Sequence, residues 1–291
     1  MIGAGAFGTA LALAWAGTHA VRLVSREPAR VMRSPAFPLP PAIEVSHETG
    51  AAEIVAYATP AQTFAATVER HPPGRAAGLI CAKGIDVGGE RLLPDIHPFA
   101  VLSGPGFAGE IARGLPTALT LAGTDASRLV DALSTPRLRL YASDDARGAA
   151  AGGALKNVAA LAVGMARGMG LGASAEAALT TRAFAELSRL VVALGGRAET
   201  FGGLSGLGDL VLTCTSPQSR NFRHGERLAR GGAREDVLVE GVHTAGVAAR
   251  LGERHGIDAP IVAAVAAIVA GETTPRDAMD ALLNRPLRRE T

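Results

Sequence analysis

The segment Gly3-Ala4-Gly5-Ala6-Phe7-Gly8, running directly into TALALAWA at residues 9–16, decides how this chain is read. Its spacing is GxGxxG, with an apolar helix behind it and a strand-forming run, Val21-Arg22-Leu23-Val24, where the second strand of a βαβ unit belongs. Gly3 gives a tight turn, Gly5 lets backbone approach a pyrophosphate, and Gly8 lets the helix pack closely, with a positive helix N-terminus facing the phosphates. The expectation is a dinucleotide-binding fold. Only Met1 and Ile2 precede the turn, so the first strand has either lost its start upstream or is much shortened.

Working outward, NAD-specific folds carry an acidic residue at the end of the second strand, whereas this chain has Ser25-Arg26 there, before Glu27. Serine and arginine suit a ribose 2′-phosphate, which favours NADP over NAD. The proline-rich stretch from Ser34 to Ala42 reads as a loop. Strand-like runs follow at Ile54–Ala58, Leu79–Ala82, Ala100–Ser103, Ala118–Ala122 and Leu138–Ala142, with helical patterns at Ala61–Arg70 and Ala126–Leu133. Such alternation predicts a mostly parallel, doubly wound sheet, an α/β Rossmann domain over residues 1–146. The turns Thr59-Pro60, Lys83-Gly84 and SGPGFA (103–108) follow strand carboxyl ends, the edge at which such sheets bind ligands.

Beyond residue 146 the strand signal stops, and 147–291 reads as a C-terminal all-helical domain. Helices are expected at Gly148–Gly168, Ser174–Leu194, 217–230, 240–255, 261–271 and 275–284, the last with Thr274 as N-cap and Pro275 in its first turn. The glycine-dense run from Gly202 to Asn221 reads as a polar, flexible connection facing the cofactor.

Of 29 basic residues only Lys83 and Lys156 are lysine. Both lie in low-charge settings, CAKGI and GALKN, where a compact ammonium that can release its proton differs most from a guanidinium that cannot. Lys156 is the single charge in GAAAGGALKNVAALAVGMA (148–166), an expensive place for one. That stretch is long enough to span a bilayer, but four glycines, Lys156 and Asn157 argue for a buried helix with no membrane span.

Composition narrows the function classes. With 29 basic and 27 acidic residues in 291, the net charge is +2 and scattered, giving no footprint for nucleic acid or membrane. Cys81 and Cys214 are far apart and the seven histidines show no ligand spacing, so neither a disulfide framework nor a metal site is indicated. No leader is evident, and a reducing cytoplasm is the expected compartment.

Three clusters in the helical half call for chemistry: Lys156-Asn157, Asp209 in GLGDL, and Ser219-Arg220-Asn221 beside a helix start at Ser216-Pro217. A titrating lysine, a carboxylate to hold it and an anion cradle suit hydride transfer on a small phosphorylated alcohol or ketone. Each also has a structural reading, as turn cap, solvated charge or helix hydrogen bonder.

With these residues in view, the chain resembles bacterial NAD(P)-dependent glycerol-3-phosphate dehydrogenases. The matching stretches are GAGAFGTALA, CAKGI, SGPGFAGEIARGLPTALTLA, GALKNVAALAVGMARGMGLG, GLSGLGDLVLTCTSPQSRN and VEGVHTA, in order from residue 3 to residue 245. The resemblance implies that Lys156 is the proton donor and acceptor at the substrate's C2 oxygen, with Asp209 beside it in the catalytic set. It implies substrate contacts from Lys83, Gly104, Asp209, Ser219, Arg220 and Asn221, with Asn157 adjacent. Gly106 stands where the family often has a substrate-touching serine. Ala6, Phe7, Arg26, Lys83, Ala108, Arg220 and Glu240 are implied to line the dinucleotide. The implied reaction reduces dihydroxyacetone phosphate to sn-glycerol 3-phosphate for glycerophospholipid synthesis, in the cytoplasm, often by a homodimer. A β-hydroxyacid-type dehydrogenase of the same plan and a non-catalytic NADP-binding sensor remain as alternatives.

Overall fold

The computed structural model describes residues 1–33, 36–232 and 239–286. Ser34 and Pro35, at the start of the expected loop, lie outside the described residues, and 36–42 carry no regular structure. By contacts the chain forms two compact units, 1–153 with 194–209, and 154–193 with 210–291. The fold type does change near residue 146, yet the chain returns to the first unit for 194–209. Gly152 is one reason, since its bare Cα lies against Ser205 and Phe201.

In the first unit the elements run α1 (Ala6–Trp15), β1 (Val21–Val24), α2 (Pro28–Arg33), β2 (Ile43–Ser46), β3 (Ile54–Tyr57), a 3-10 turn (Ala61–Thr63), α3 (Phe64–Arg70), β4 (Ala77–Ile80), β5 (Ile85–Asp86), β6 (Arg91–Leu92), α4 (Leu93–Ile96), β7 (Ala100–Ser103), α5 (Ala108–Ala112), β8 (Thr117–Ala122), α6 (Ala126–Leu133) and β9 (Leu138–Ser143). Helix α7 (Ala146–Gly168) leaves this unit after Gly153, α8 (Ala173–Ala193) belongs to the second, and α9 (Ala198–Gly202) and a π turn (Leu204–Gly208) return to the first. Helices α10 (Asp209–Thr215), α11 (Arg220–Ala229), α12 (Glu240–Arg254), α13 (Pro260–Ala270) and α14 (Pro275–Leu283) complete the chain.

Strands β3-β4-β7-β8-β9 are neighbours in that order, and β1 pairs with β2; each of these pairings is parallel except β7 with β8, while β5 and β6 form a separate antiparallel pair. The residues before the glycine turn join these two groups. Ile2 bridges both Val24 and Tyr57 in parallel. Its N–H donates to Ala56 O at 2.7 Å, its carbonyl accepts from Ala58 N at 2.8 Å, and Gly3 N donates to Val24 O at 3.0 Å. Ile2 therefore lies at the centre of the sheet, with β1 and β2 to one side and β3 onward to the other. That reversal of strand order is the switch point where such sheets take their ligand.

Both sheet faces are covered, so the strands read as apolar runs and not as alternation. Leu11 and Trp15 of α1 and Leu129 and Leu133 of α6 pack on Leu79, Leu102, Leu119 and Leu121. Trp15 Nε1 also donates to Leu133 O at 2.9 Å, tying the two helices together. On the other face Phe64 and Val68 of α3, Leu93 of α4 and Ala149 of α7 cover Val55, Tyr57, Ile80 and Val101.

Among its described residues the second unit's regular structure is all helix. Its centre is α7, whose residues 154–166 are all buried; a helix apolar on every side belongs inside. Among the described residues it is the one helix long and apolar enough to cross a membrane, and that apolar window is wholly buried. Glycines set its closest crossing, because a Cβ on Gly164 would collide with the Phe222 carbonyl and one on Gly225 with that of Leu161. Thr274 caps α14 as expected, accepting Asp277 N at 3.1 Å.

Two expectations are corrected. The run 202–221 is mainly helix, because its glycines permit close packing and do not loosen the chain. Helix α11 begins at Arg220 and not at Pro217, since the Ser219 side chain supplies the cap by accepting Phe222 N.

Candidate active site

In the first unit the glycine turn is built for close approach. Gly3 has φ +105°, and a Cβ there would lie 2.7 Å from Ala58 O, while one on Gly8 would collide with Gly3 O. Around Gly5, the N-cap of α1, a Cβ would meet nothing within 4 Å. Backbone crowding at Gly3 and Gly8 with open space at Gly5, at the start of a ten-residue helix, fits a dinucleotide pyrophosphate. Ala6 and Phe7 open the helix, and Arg26 is exposed just past the end of β1. The Ser25 hydroxyl beside it accepts Glu27 N at 3.1 Å, which shapes that turn.

Lys83 follows β4, at the strand edge expected to bind ligand. Its Nζ donates to Asp209 Oδ2 at 2.6 Å and to Gly104 O at 2.8 Å, and lies 5.7 Å from the Phe7 ring centroid. One lysine thus touches the glycine turn, the 103–108 loop and Asp209. The Asp209 side chain is 2 % exposed and that of Lys83 18 %. Gly104 has φ +140°, a conformation L side chains rarely adopt, and its Cα lies against Leu119. A Cβ on Gly106 would touch Ile111, Thr117 and Leu119 at 3.1–3.3 Å, so this glycine is packed on its neighbours. Ala108 is the first residue of α5, where helix N–H groups are unpaired.

In the second unit Lys156 is buried at 7 % exposure, and its Nζ donates to Thr213 Oγ1 at 2.7 Å. Thr213 is 2 % exposed and was not singled out from the sequence. Its only signal was its place four residues after Asp209, one helical turn along α10.

The Ser-Arg-Asn cluster divides its work. Ser219 caps α11. Asn221 turns inward, donating to Asn157 Oδ1 at 2.8 Å and accepting Gly241 N at 2.9 Å, so that α7, α11 and α12 are joined by two buried amides. Arg220 alone of the three is exposed, in the first position of α11. A cation at a helix N-terminus opposes the macrodipole, an unfavourable placement that an anion bound there would reverse. Glu240 opens α12, immediately before Gly241.

Comparison with known proteins agrees with this arrangement. Residues 1–129 match the family model for the NAD-dependent glycerol-3-phosphate dehydrogenase N-terminus, and 145–280 that for its C-terminus. Glycerol-3-phosphate dehydrogenase [NAD(P)+] of Agrobacterium fabrum is 49 % identical, the match covering 100 % of this chain and 98 % of that protein. The same enzyme of Paracoccus denitrificans is 48 % identical over 100 % and 99 %. A crystal structure of glycerol-3-phosphate dehydrogenase from Coxiella burnetii superposes with a TM-score of 0.91 at 34 % identity, covering 98 % of each chain. The chain belongs to the NAD-dependent glycerol-3-phosphate dehydrogenase family, and is an NAD(P)-dependent oxidoreductase.

Proposed function

We propose that this protein reversibly reduces dihydroxyacetone phosphate to sn-glycerol 3-phosphate, supplying glycerophospholipid synthesis. The observation that carries the reading is Lys156, buried in an apolar helix and bonded to a hydroxyl. The reduced nicotinamide, when bound, supplies hydride to the ketone carbon. Every other role falls to side chains and backbone of this chain.

Gly3, Gly5, Ala6, Phe7, Gly8 and Ala108 hold the dinucleotide, and Arg26 meets the 2′-phosphate of NADP, which is favoured over NAD. Glu240 and Arg220 complete that set. Lys83, held by two acceptors, keeps one N–H of its three for the substrate, in a setting shaped by Gly104, Gly106 and Asp209. Arg220 pairs with the phosphate; Ser219 and Asn221 hold the helix start that presents it, and Asn157 holds Asn221.

As hydride arrives, negative charge grows on the substrate's C2 oxygen and Lys156 delivers a proton to it. Thr213 suits both states of that lysine. Its oxygen accepts from the ammonium, and a hydroxyl is a group that can also donate to a neutral amine. In the reverse direction the amine takes the proton back. Residues 1–146 form the dinucleotide region and 147–291 the substrate and catalytic region. The protein acts in the cytoplasm as a homodimer, an assignment supported by family resemblance.

The test is NADPH oxidation with dihydroxyacetone phosphate, dihydroxyacetone and a panel of β-hydroxyacids and their oxidised forms. A polar site built for a missing group discriminates by about 10⁴-fold, so the phosphorylated ketone should lead by that order. Comparable kcat/KM for the free ketone would contradict the phosphate assignment, and turnover of a hydroxyacid alone would contradict the substrate class.

A further inference from the structure

The Asp209 carboxylate sits at the end of a local irregularity that no sequence motif announced. Between α9 and α10 the backbone closes a π turn over Leu204–Gly208. Gly208 N donates to Gly203 O at 3.1 Å, five residues back, and the Asp209 N–H is divided between Leu204 O and Gly206 O. A π turn holds one residue more than an α turn, and such turns occur disproportionately at functional sites.

This turn is clamped from several directions, all within the first unit. A Cβ on Gly206 would collide with the carbonyl of Phe201, a residue with no exposed surface. A Cβ on Gly152 of α7 would lie 2.8 Å from Ser205 O, and one on Gly208 would meet Pro105 at 3.5 Å. Pro105 belongs to the same loop as Gly104, whose carbonyl accepts from Lys83. The glycines therefore fix where the turn ends, and Asp209 is the residue at that end. By contrast Leu207, in the same turn, is 39 % exposed.

We propose that the extra residue of the π turn is a positioning device. It aims Asp209 at Lys83 and so sets the cation that orients the substrate, an inference resting on the function proposed above. Without that residue the turn closes as α-helix and Asp209 rotates by about 100° relative to α9, out of reach of Lys83. Length therefore matters here, and the identity of the exposed residue does not.

The experiment compares deletion of Leu207 with Leu207→Ala. The deletion should lower kcat/KM for dihydroxyacetone phosphate by about 10²-fold, the scale of a misplaced site group, through KM as well as kcat, with NADPH affinity and thermal midpoint near those of the parent. Leu207→Ala should stay within about threefold, as expected where a side chain is not used. A deletion variant that folds, binds NADPH and keeps parental kcat/KM overturns the proposal. If the deletion does not fold, Gly152→Ala takes its place, since alanine favours the helix carrying it while its methyl presses on Ser205 O. It should raise KM with the fold intact, and an unchanged KM overturns the proposal. A readout without substrate separates this idea from the assignment of function. The Lys83→Met and Asp209→Asn double-mutant cycle, followed by urea denaturation, should show coupling in the parent and none in the deletion background. Coupling retained in that background overturns the positioning role even if dihydroxyacetone phosphate is not the substrate.

Discussion

Lys83 and Lys156 are the only lysines in the chain, and each donates to a partner of a different chemical kind. Lys83 donates to a carboxylate and a backbone carbonyl, both pure acceptors, at 2.6 and 2.8 Å. Lys156 donates to a hydroxyl, which can accept or donate, at 2.7 Å. The first arrangement rewards a permanent cation. The second tolerates gain and loss of a proton without breaking the bond. In the function proposed above, two residues of one type divide binding from proton transfer.

The largest effect should come from erasing that difference. Lys156→Arg places a permanent cation where a titrating one is needed. Turnover should fall by about 10²-fold or more, the range for a lost general acid, with NADPH affinity preserved; near-parental turnover would remove Lys156 from the chemistry. Thr213→Val removes the two-way partner and should lower kcat by roughly 10-fold to 100-fold, the kinetic equivalent of a lost hydrogen bond to a charged group, whereas Thr213→Ser should restore most of it. Equal kcat in the valine and serine variants would show that the hydroxyl is not used.

A smaller effect belongs to the cofactor end of the Lys83 unit. Arg26 is exposed, so Arg26→Ala should weaken NADPH by about 1.5 kcal/mol, the lower end for a charged hydrogen bond, and leave NADH nearly unchanged. Equal losses for both coenzymes, measured by fluorescence titration, would assign Arg26 to parts they share.

The helical unit also holds a buried carboxyl that sharpens the comparison by its contrast with Asp209. Glu186, 4 % exposed, accepts the N–H groups of Ile261 and Val262 at the start of α13. Burial pushes its carboxyl up to about 7, against the pull of those donors and of Arg189, while Asp258 adds to the rise. A carboxyl that binds its proton more tightly folded than unfolded loses stability as pH rises. Its contribution is complete below about 4.5 and lost through about 7. Glu186→Gln should therefore gain thermal midpoint relative to the parent between pH 5 and pH 8; a constant difference across that range would contradict the assignment.

Much of this was legible in the residues. GAGAFG, the apolar strand runs and the Thr274-Pro275 helix start each carry a local signal strong enough to survive tertiary context. The first strand carried none, because the two residues before Gly3 are too few for periodicity; it is seen by the pairing on both sides of Ile2. The 202–221 segment misled because glycine signals both loops and close packing, and Gly206 serves the second purpose. Ser219 and Asn221 read as ligand donors from their types, and in the fold they also bond to Phe222, Asn157 and Gly241, links that residue type alone does not reveal. Only the fold shows which way an amide turns. Thr213 was invisible for the same reason, a common residue made significant by a lysine 57 positions away.

Chemical rescue tests the division between the two lysines most directly. With Lys156→Ala, NADPH and dihydroxyacetone phosphate, added primary amines should restore turnover in proportion to their proton-donating ability, whereas tetramethylammonium, a cation without a proton to give, should not. The same amines should leave Lys83→Ala without such a dependence. Rescue of Lys156→Ala by tetramethylammonium to the level reached with methylammonium would show that Lys156 supplies charge alone, and would contradict the account.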